Sequence, residues 1–230
     1  MSSNYLEKDN NMSLLLYDLQ IRFLQIKAIA ESNPMDSSVQ QNTVLLSKNA
    51  LMMIDYVAFA INTLQSELPL TSISASALAQ DVAHDLYKLA QAYNVEIELD
   101  TSKKLEPIYA NEAAVKGALF GLASSLISAQ QDNSKRTRFV IAAQQTAPNL
   151  QRIGVYSADA HIQKESIRKV GHLSQAARAS APKDMHNSAI GLLMSNHLVE
   201  ALGSELKNFT HKKQKGIGFY LPLSGQLTFI

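Results

Sequence analysis

Between Met12 and Glu31, the residues Met12, Leu16, Leu19, Phe23, Ile26 and Ala30 follow one another at spacings of four and three. That repeat is the seam of a helix that packs lengthwise against other helices. Leu14, Leu15, Ile21, Leu24 and Ile29 widen the apolar surface beyond one seam, and a helix coated this way needs more than one neighbour. A second stretch, Val39 to Leu68, repeats the spacing through Ala50, Ile54, Val57, Ile61, Leu64 and Leu68. Between them, Ser32 to Ser38 reads as a turn, because Pro34 disfavours helix at Asn33 and the Ser/Asp cluster can cap the second helix. Two seamed helices joined by a short turn make an antiparallel hairpin. Two hairpins complete a four-helix bundle, so the expectation is a homodimer. The competing reading is a hairpin packed only on its own C-terminal domain.

Composition narrows the function classes. Hydrophobic residues make up 46% of the chain and charged residues 18%, the balance of an ordinary globular protein. A net charge of +1 gives no electrostatic case for nucleic acid or a membrane surface as partner. Cysteine is absent, which removes disulfides, thiol catalysis and thiolate metal sites. No run approaches about 18 uninterrupted apolar residues. Residues 1–11 are polar and mixed in charge, unlike a secretory signal, and read as a flexible N-terminus. The expected address is the cytoplasm.

Beyond Pro69 the pattern alternates helix and strand. Leu70 to Ile73 reads as a short extended segment, and Ser74 or Ser76 caps a helix burying Leu78, Val82, Leu86, Leu89 and Tyr93. Val95, Ile97 and Leu99 alternate with Glu96, Glu98 and Asp100, a strand with one wet face. Ile108 to Ala110 leads into a helix capped by Asn111, with Val115, Leu119, Leu122 and Leu126 inward. Phe139 to Ala143 and Ile153 to Tyr156 read as strands separated by a polar loop from Gln144 to Gln151. Ala158 to Pro182 reads as irregular and polar. Asn187 or Ser188 caps a last helix that Gly203 ends, and two strands, Glu205 to Thr210 and Ile217 to Leu223, flank a lysine-rich turn. The expected class is α+β: a helical hairpin at 12–68, then an α/β sandwich at 69–230.

Tyr109-Ala110-Asn111-Glu112-Ala113-Ala114-Val115, running on to Ile127, resembles the helix that carries the N box of histidine kinase ATPase domains. Ser188 to Met194 and the following Val199 to Leu206 are similar to the second glycine motif and helix of that family, and Gly216 to Leu223 to its closing strand. The hairpin occupies the place of the dimerisation and phosphotransfer domain. The resemblance implies a nucleotide pocket whose chemistry has been replaced. Gly121 and Ser125 stand where the N box has asparagines, one of which coordinates magnesium. Ser157 stands where an aspartate meets the adenine amino group, with Asp159 two residues on. Asn187 and Ala189 stand where glycines admit phosphate, leaving only Gly191. A phosphate cradle needs both the absent Cβ atoms and the free amides.

The phosphoacceptor position is also changed. Where the family has a histidine followed by an acidic residue, this chain reads Tyr17-Asp18-Leu19-Gln20-Ile21-Arg22. A phenol lacks the ring nitrogen that forms a phosphoramidate. The resemblance therefore implies a non-catalytic dimer, without ATP or magnesium, whose surface around Tyr17, Asp18, Gln20 and Arg22 docks a response-regulator receiver domain. The alternatives are a histidine phosphotransferase-type relay protein with a displaced acceptor, for which His84 is the helical candidate, and a weakly ATP-binding kinase. No nucleophile elbow, metal-binding histidine pair or paired-carboxylate motif points to another enzyme class.

Overall fold

Two side-chain caps fix where the α/β layers begin. Ser74 accepts a hydrogen bond from the Ala77 amide at 3.3 Å, and Asn111 Oδ1 accepts one from the Ala114 amide at 3.0 Å, each satisfying a donor that a helix start leaves open. Asn111 also donates through Nδ2 to the Pro69 carbonyl at 2.9 Å. One residue thereby starts a helix and ties it to the end of the preceding segment. The computed structural model describes residues 37–63, 68–102, 104–129, 136–157 and 189–227, together with Leu19, Ile21 and Ile26.

The elements in chain order are α1 (Ser37–Thr63), β1 (Thr71–Ile73), α2 (Ala75–Ala92), β2 (Val95–Thr101), β3 (Ile108–Ala110), α3 (Glu112–Ser128), β4 (Thr137–Ala147), β5 (Leu150–Ser157), α4 (Ala189–Ala201), β6 (Lys207–His211) and β7 (Gln214–Pro222), then a 3-10 turn at Ser224–Leu227. Five strands form one mixed sheet in the order β2-β4-β5-β7-β6; β1 and β3 make a separate two-stranded ribbon. β2 and β4 are parallel, and the other pairs of the large sheet are antiparallel. α2, α3 and α4 cover one face, where Phe139, Ile141, Ile153, Val155, Ile217 and Phe219 meet them in the main core. α3 is buried along nearly its whole length, as a helix walled in on several sides must be.

Several sequence expectations hold in detail. Leu78, Val82, Leu86 and Leu89 are the buried face of α2, while Tyr93 serves as its C-cap and is half-buried. α4 ends at Gly203, whose φ of +72° is the left-handed conformation glycine adopts without cost. Two expectations fail. The lysine-rich turn expected between Thr210 and Ile217 shrinks to Lys212-Lys213, because His211 and Gln214 already pair in the β6–β7 ladder. The segment from Gln144 to Gln151 is not a loop: β4 and β5 continue through it to a tight turn at Pro148-Asn149, with the register Gln144↔Arg152 and Gln145↔Gln151. Gln144 and Gln151 are bonded rather than solvated there, and Gln151 donates through Nε2 to the Glu106 carbonyl at 3.3 Å.

α1 carries the hairpin reading only so far. Ala50, Met53, Val57 and Ala60 are its buried residues, and Ile54 is half-buried. They pack α1 onto the α/β layers, where Tyr56 lies against Phe120 with ring centroids 5.4 Å apart. Gly117 makes that seat: a methyl group there would lie 2.7 Å from Tyr56 Cδ1. Leu19, Ile21 and Ile26 are helical and half-buried; the rest of the expected first helix lies outside the described residues. The Thr43–Ala60 window of α1 is long and apolar enough to cross a membrane, yet it is the window that packs on α2, α3 and α4.

Candidate functional site

Gly121, Ser125 and Gly191, three positions singled out by the resemblance, come together at the crossing of α3 and α4, and all three are buried. A Cβ on Gly121 would lie 2.5 Å from the Gly191 carbonyl oxygen and 2.7 Å from Met194 Cε, and it would collide with Ser195 Oγ. A Cβ on Gly191 would collide with Ser125 Oγ and the Gly121 carbonyl. Real side chains do not come that close, so the two helices touch backbone to backbone because both residues are glycine.

Ser195 closes the crossing. It is 0% exposed, and its hydroxyl has the Gly191 carbonyl at 2.6 Å and the Ala118 carbonyl at 2.8 Å within donating distance. One proton serves two acceptors, the second of them on the opposite helix. Ser125 is 2% exposed, and its Oγ has no hydrogen-bond partner. Ser124 donates to the Gly121 carbonyl at 3.2 Å. These hydroxyls fill the seam between helices.

A side chain at position 121 has no room, and Ser125 Oγ is pressed against Gly191. Ser157 is the last residue of β5 and is buried, opposite Phe139 and Lys215 in the ladder. Asp159 and Asn187 lie outside the described residues, as do Tyr17, Asp18, Gln20 and Arg22; Ala189 opens α4. His84 lies on α2. Among the described residues no cluster of His, Asp and Glu could hold a metal ion.

A second polar constellation, on the other face of the sheet, has no counterpart among the sequence motifs. His211 Nε2 is 2.7 Å from Asp100 Oδ2, and His211 Nδ1 is 3.0 Å from Gln144 Oε1. Lys212 Nζ reaches the same Asp100 oxygen at 2.6 Å. Hydrogen bonds from Lys212 and His211 hold the Asp100 carboxyl below its usual range. Beside them Val140, Ala142 and Tyr156 form a small second core with Phe209. Burial pushes the Tyr156 phenol up to about 12, so it stays neutral. A half-open cavity of about 390 Å³ adjoins the cluster, lined in part by Glu98, Asp100, Arg138, Val140 and Lys212.

Structural comparison places the chain by fold. It is similar to the catalytic domain of the histidine kinase ThkA, with a TM-score of 0.54 and 15% identity over 68% of this chain and 97% of that one. The Acinetobacter baumannii histidine kinase AdeS matches 91% of this chain and 94% of its own, with a TM-score of 0.53 and 14% identity. ThkA in complex with the response regulator protein TrrA gives a TM-score of 0.57 at 11% identity, over 94% of this chain and 62% of that one. No family model matches the sequence, and no curated protein does. The described residues form an α+β fold with a mixed sheet and four named helices, α1 to α4, that resembles the histidine kinase ATPase domain.

Proposed function

We propose that this chain is a non-catalytic, histidine-kinase-like homodimer that docks a response-regulator receiver domain in two-component signalling. The observation that carries the reading is the α3–α4 crossing. Gly121 and Ser125 stand where the resemblance expects asparagines and Gly191 is the phosphate-loop glycine that remains, and here the three pack on each other. The fold is retained while the cleft chemistry is not, which favours a role in presenting a surface. On this reading ATP and magnesium play no part, the chain comprises a hairpin at 12–68 and an ATPase-like unit at 69–230, and it works in the cytoplasm.

The docking surface is assigned to the hairpin around Tyr17, Asp18, Gln20 and Arg22. A structural neighbour that matches 94% of this chain over 62% of its own length is a histidine kinase in complex with a response regulator protein, which supports the class of partner. The homodimer draws support from the outer face of α1. Val44 is 64% exposed and Leu51 56%, and with exposed Ala58 they fall seven residues apart, the spacing of a helix seam still lacking its neighbour.

The test is to mix the protein with receiver domains from its own cell, unphosphorylated and phosphorylated, and to follow binding and phosphate together. The reading expects a complex with at least one receiver and no acid-labile phosphate on this chain. Transfer of phosphate to this chain overturns it in favour of a relay protein with a displaced acceptor. Micromolar binding of Mg-ATP in calorimetry overturns it in favour of a kinase.

A further inference from the structure

Between residues 41 and 60 of α1, the described side chains that are exposed are Gln41, Val44, Lys48, Leu51, Asp55 and Ala58. Their spacings alternate between three and four, the successive a and d positions of a heptad seam. At about 1.5 Å per residue this stripe is about 26 Å long. At about 100° per residue it lies on the far side of the helix from Ala50, Met53, Val57 and Ala60, the residues that seat α1 on the α/β layers. Those layers therefore leave it uncovered. Val44 and Leu51 are large apolar side chains held in water at one heptad position, the pattern of a face built for a neighbour.

The charges on the stripe select that neighbour. Lys48 and Asp55 are opposite charges one heptad apart, with Leu51 between them. The ion pairs among the described residues are made elsewhere, and neither Lys48 nor Asp55 takes part in them. Turning a second copy end over end about an axis through Leu51 brings together residues equally far before and after it. Leu51 then meets Leu51, and Val44 meets the smaller Ala58. Lys48 comes level with Ile54, one residue rise of about 1.5 Å from Asp55, within reach of a flexible four-carbon stem. Symmetry makes each of these contacts twice, as in an isologous two-fold interface. A parallel copy in register would instead set Lys48 beside Lys48 and Asp55 beside Asp55, and like charges side by side repel.

We infer that α1 pairs with α1 of a second copy of this chain, antiparallel, about a two-fold axis at Leu51, with Lys48 and Asp55 forming reciprocal ion pairs. The inference rests on the homodimer reading and adds its direction. The chain has no cysteine, so introduced thiols report contacts without background, and a disulfide needs Cα atoms within about 7 Å. Val44→Cys and Ala58→Cys, both at exposed positions, are made in the full chain and oxidised separately and mixed. The antiparallel pair gives a 44–58 crosslink in the mixture and none in either variant alone, because identical positions then lie about 21 Å apart along the axis. A 44–44 or 58–58 crosslink overturns the antiparallel pairing and leaves the homodimer standing. Absence of any crosslink in a protein that light scattering shows to be dimeric overturns it as well, since the interface then lies elsewhere. Absence of any crosslink in a protein that is monomeric at micromolar concentration overturns the homodimer with it. Charge exchange tests the ion pairs independently of oxidation. Lys48→Asp should weaken the dimer roughly tenfold in analytical ultracentrifugation, and adding Asp55→Lys should restore it; a double variant no tighter than the single one overturns the reciprocal pairs.

Discussion

Restoring an asparagine at position 121 asks whether the α3–α4 crossing is an emptied ligand site or a packed one. In Gly121→Asn the Cβ alone is driven to 2.5 Å from the Gly191 carbonyl and against Ser195. Backbone is not a flexible neighbour, so the overpacking cost belongs at the upper end of its range, about 3 kcal/mol. Gly121→Ala isolates that cost. Alanine recovers about 1 kcal/mol of helix propensity, leaving a net loss of about 2 kcal/mol. Asparagine adds a buried amide among carbonyls and a hydroxyl already engaged, for about 2 kcal/mol more. For a chain of this size each kcal/mol lowers Tm by about 2–4 °C. The expected drops are thus about 4–8 °C for Gly121→Ala and about 8–16 °C for Gly121→Asn, measured by thermal unfolding in circular dichroism. Calorimetry with Mg-ATP should find no binding to either variant. A Gly121→Asn protein as stable as its parent, or one that takes up Mg-ATP, would refute the packed-crossing reasoning.

Ser125→Ala removes a buried hydroxyl that has no partner, so it should be neutral or stabilising by up to about 1 kcal/mol; a loss above that in chemical denaturation would mean the hydroxyl is bonded in solution. Leu51→Glu puts a charge on the outward seam of α1 and should convert a dimer into a monomer in light scattering, with the thermal midpoint of the ATPase-like unit unchanged. A parent that is already monomeric at micromolar concentration sinks the four-helix dimer.

Features set by near neighbours in the chain are legible in the residues themselves. Ser74, Asn111 and Gly203 mark helix ends because a cap works within a turn of its own residue. Gly121, Ser125 and Gly191 can be picked out by order and spacing, although nothing in that spacing says that they touch. Ser195 carries a fainter signal: it follows Gly191 by four residues, and Gly117, Gly121 and Ser125 repeat that spacing on α3. Two small-residue stripes of one period mark a close crossing only when they are taken together. Gln144 reads as loop because its burial rests on Arg152 and His211 rather than on apolar alternation. The His211 cluster lies beyond local pattern altogether: His211 meets Gln144 across 67 residues and Asp100 across 111. Only the strand glycines 154, 216 and 218 hint that something approaches the sheet closely there.

The seat of Tyr56 over Gly117 has a consequence for rotation. An α-helix turns about 100° for each residue along it. A slip of α1 by one residue would carry Tyr56 off its notch and swing Val44, Leu51 and Ala58 a quarter-turn or more from their outward bearing. The missing side chain at 117 therefore acts as a keyway. It sets the angular phase of α1 against the layers beneath it, and with that phase the direction in which the chain presents its free seam.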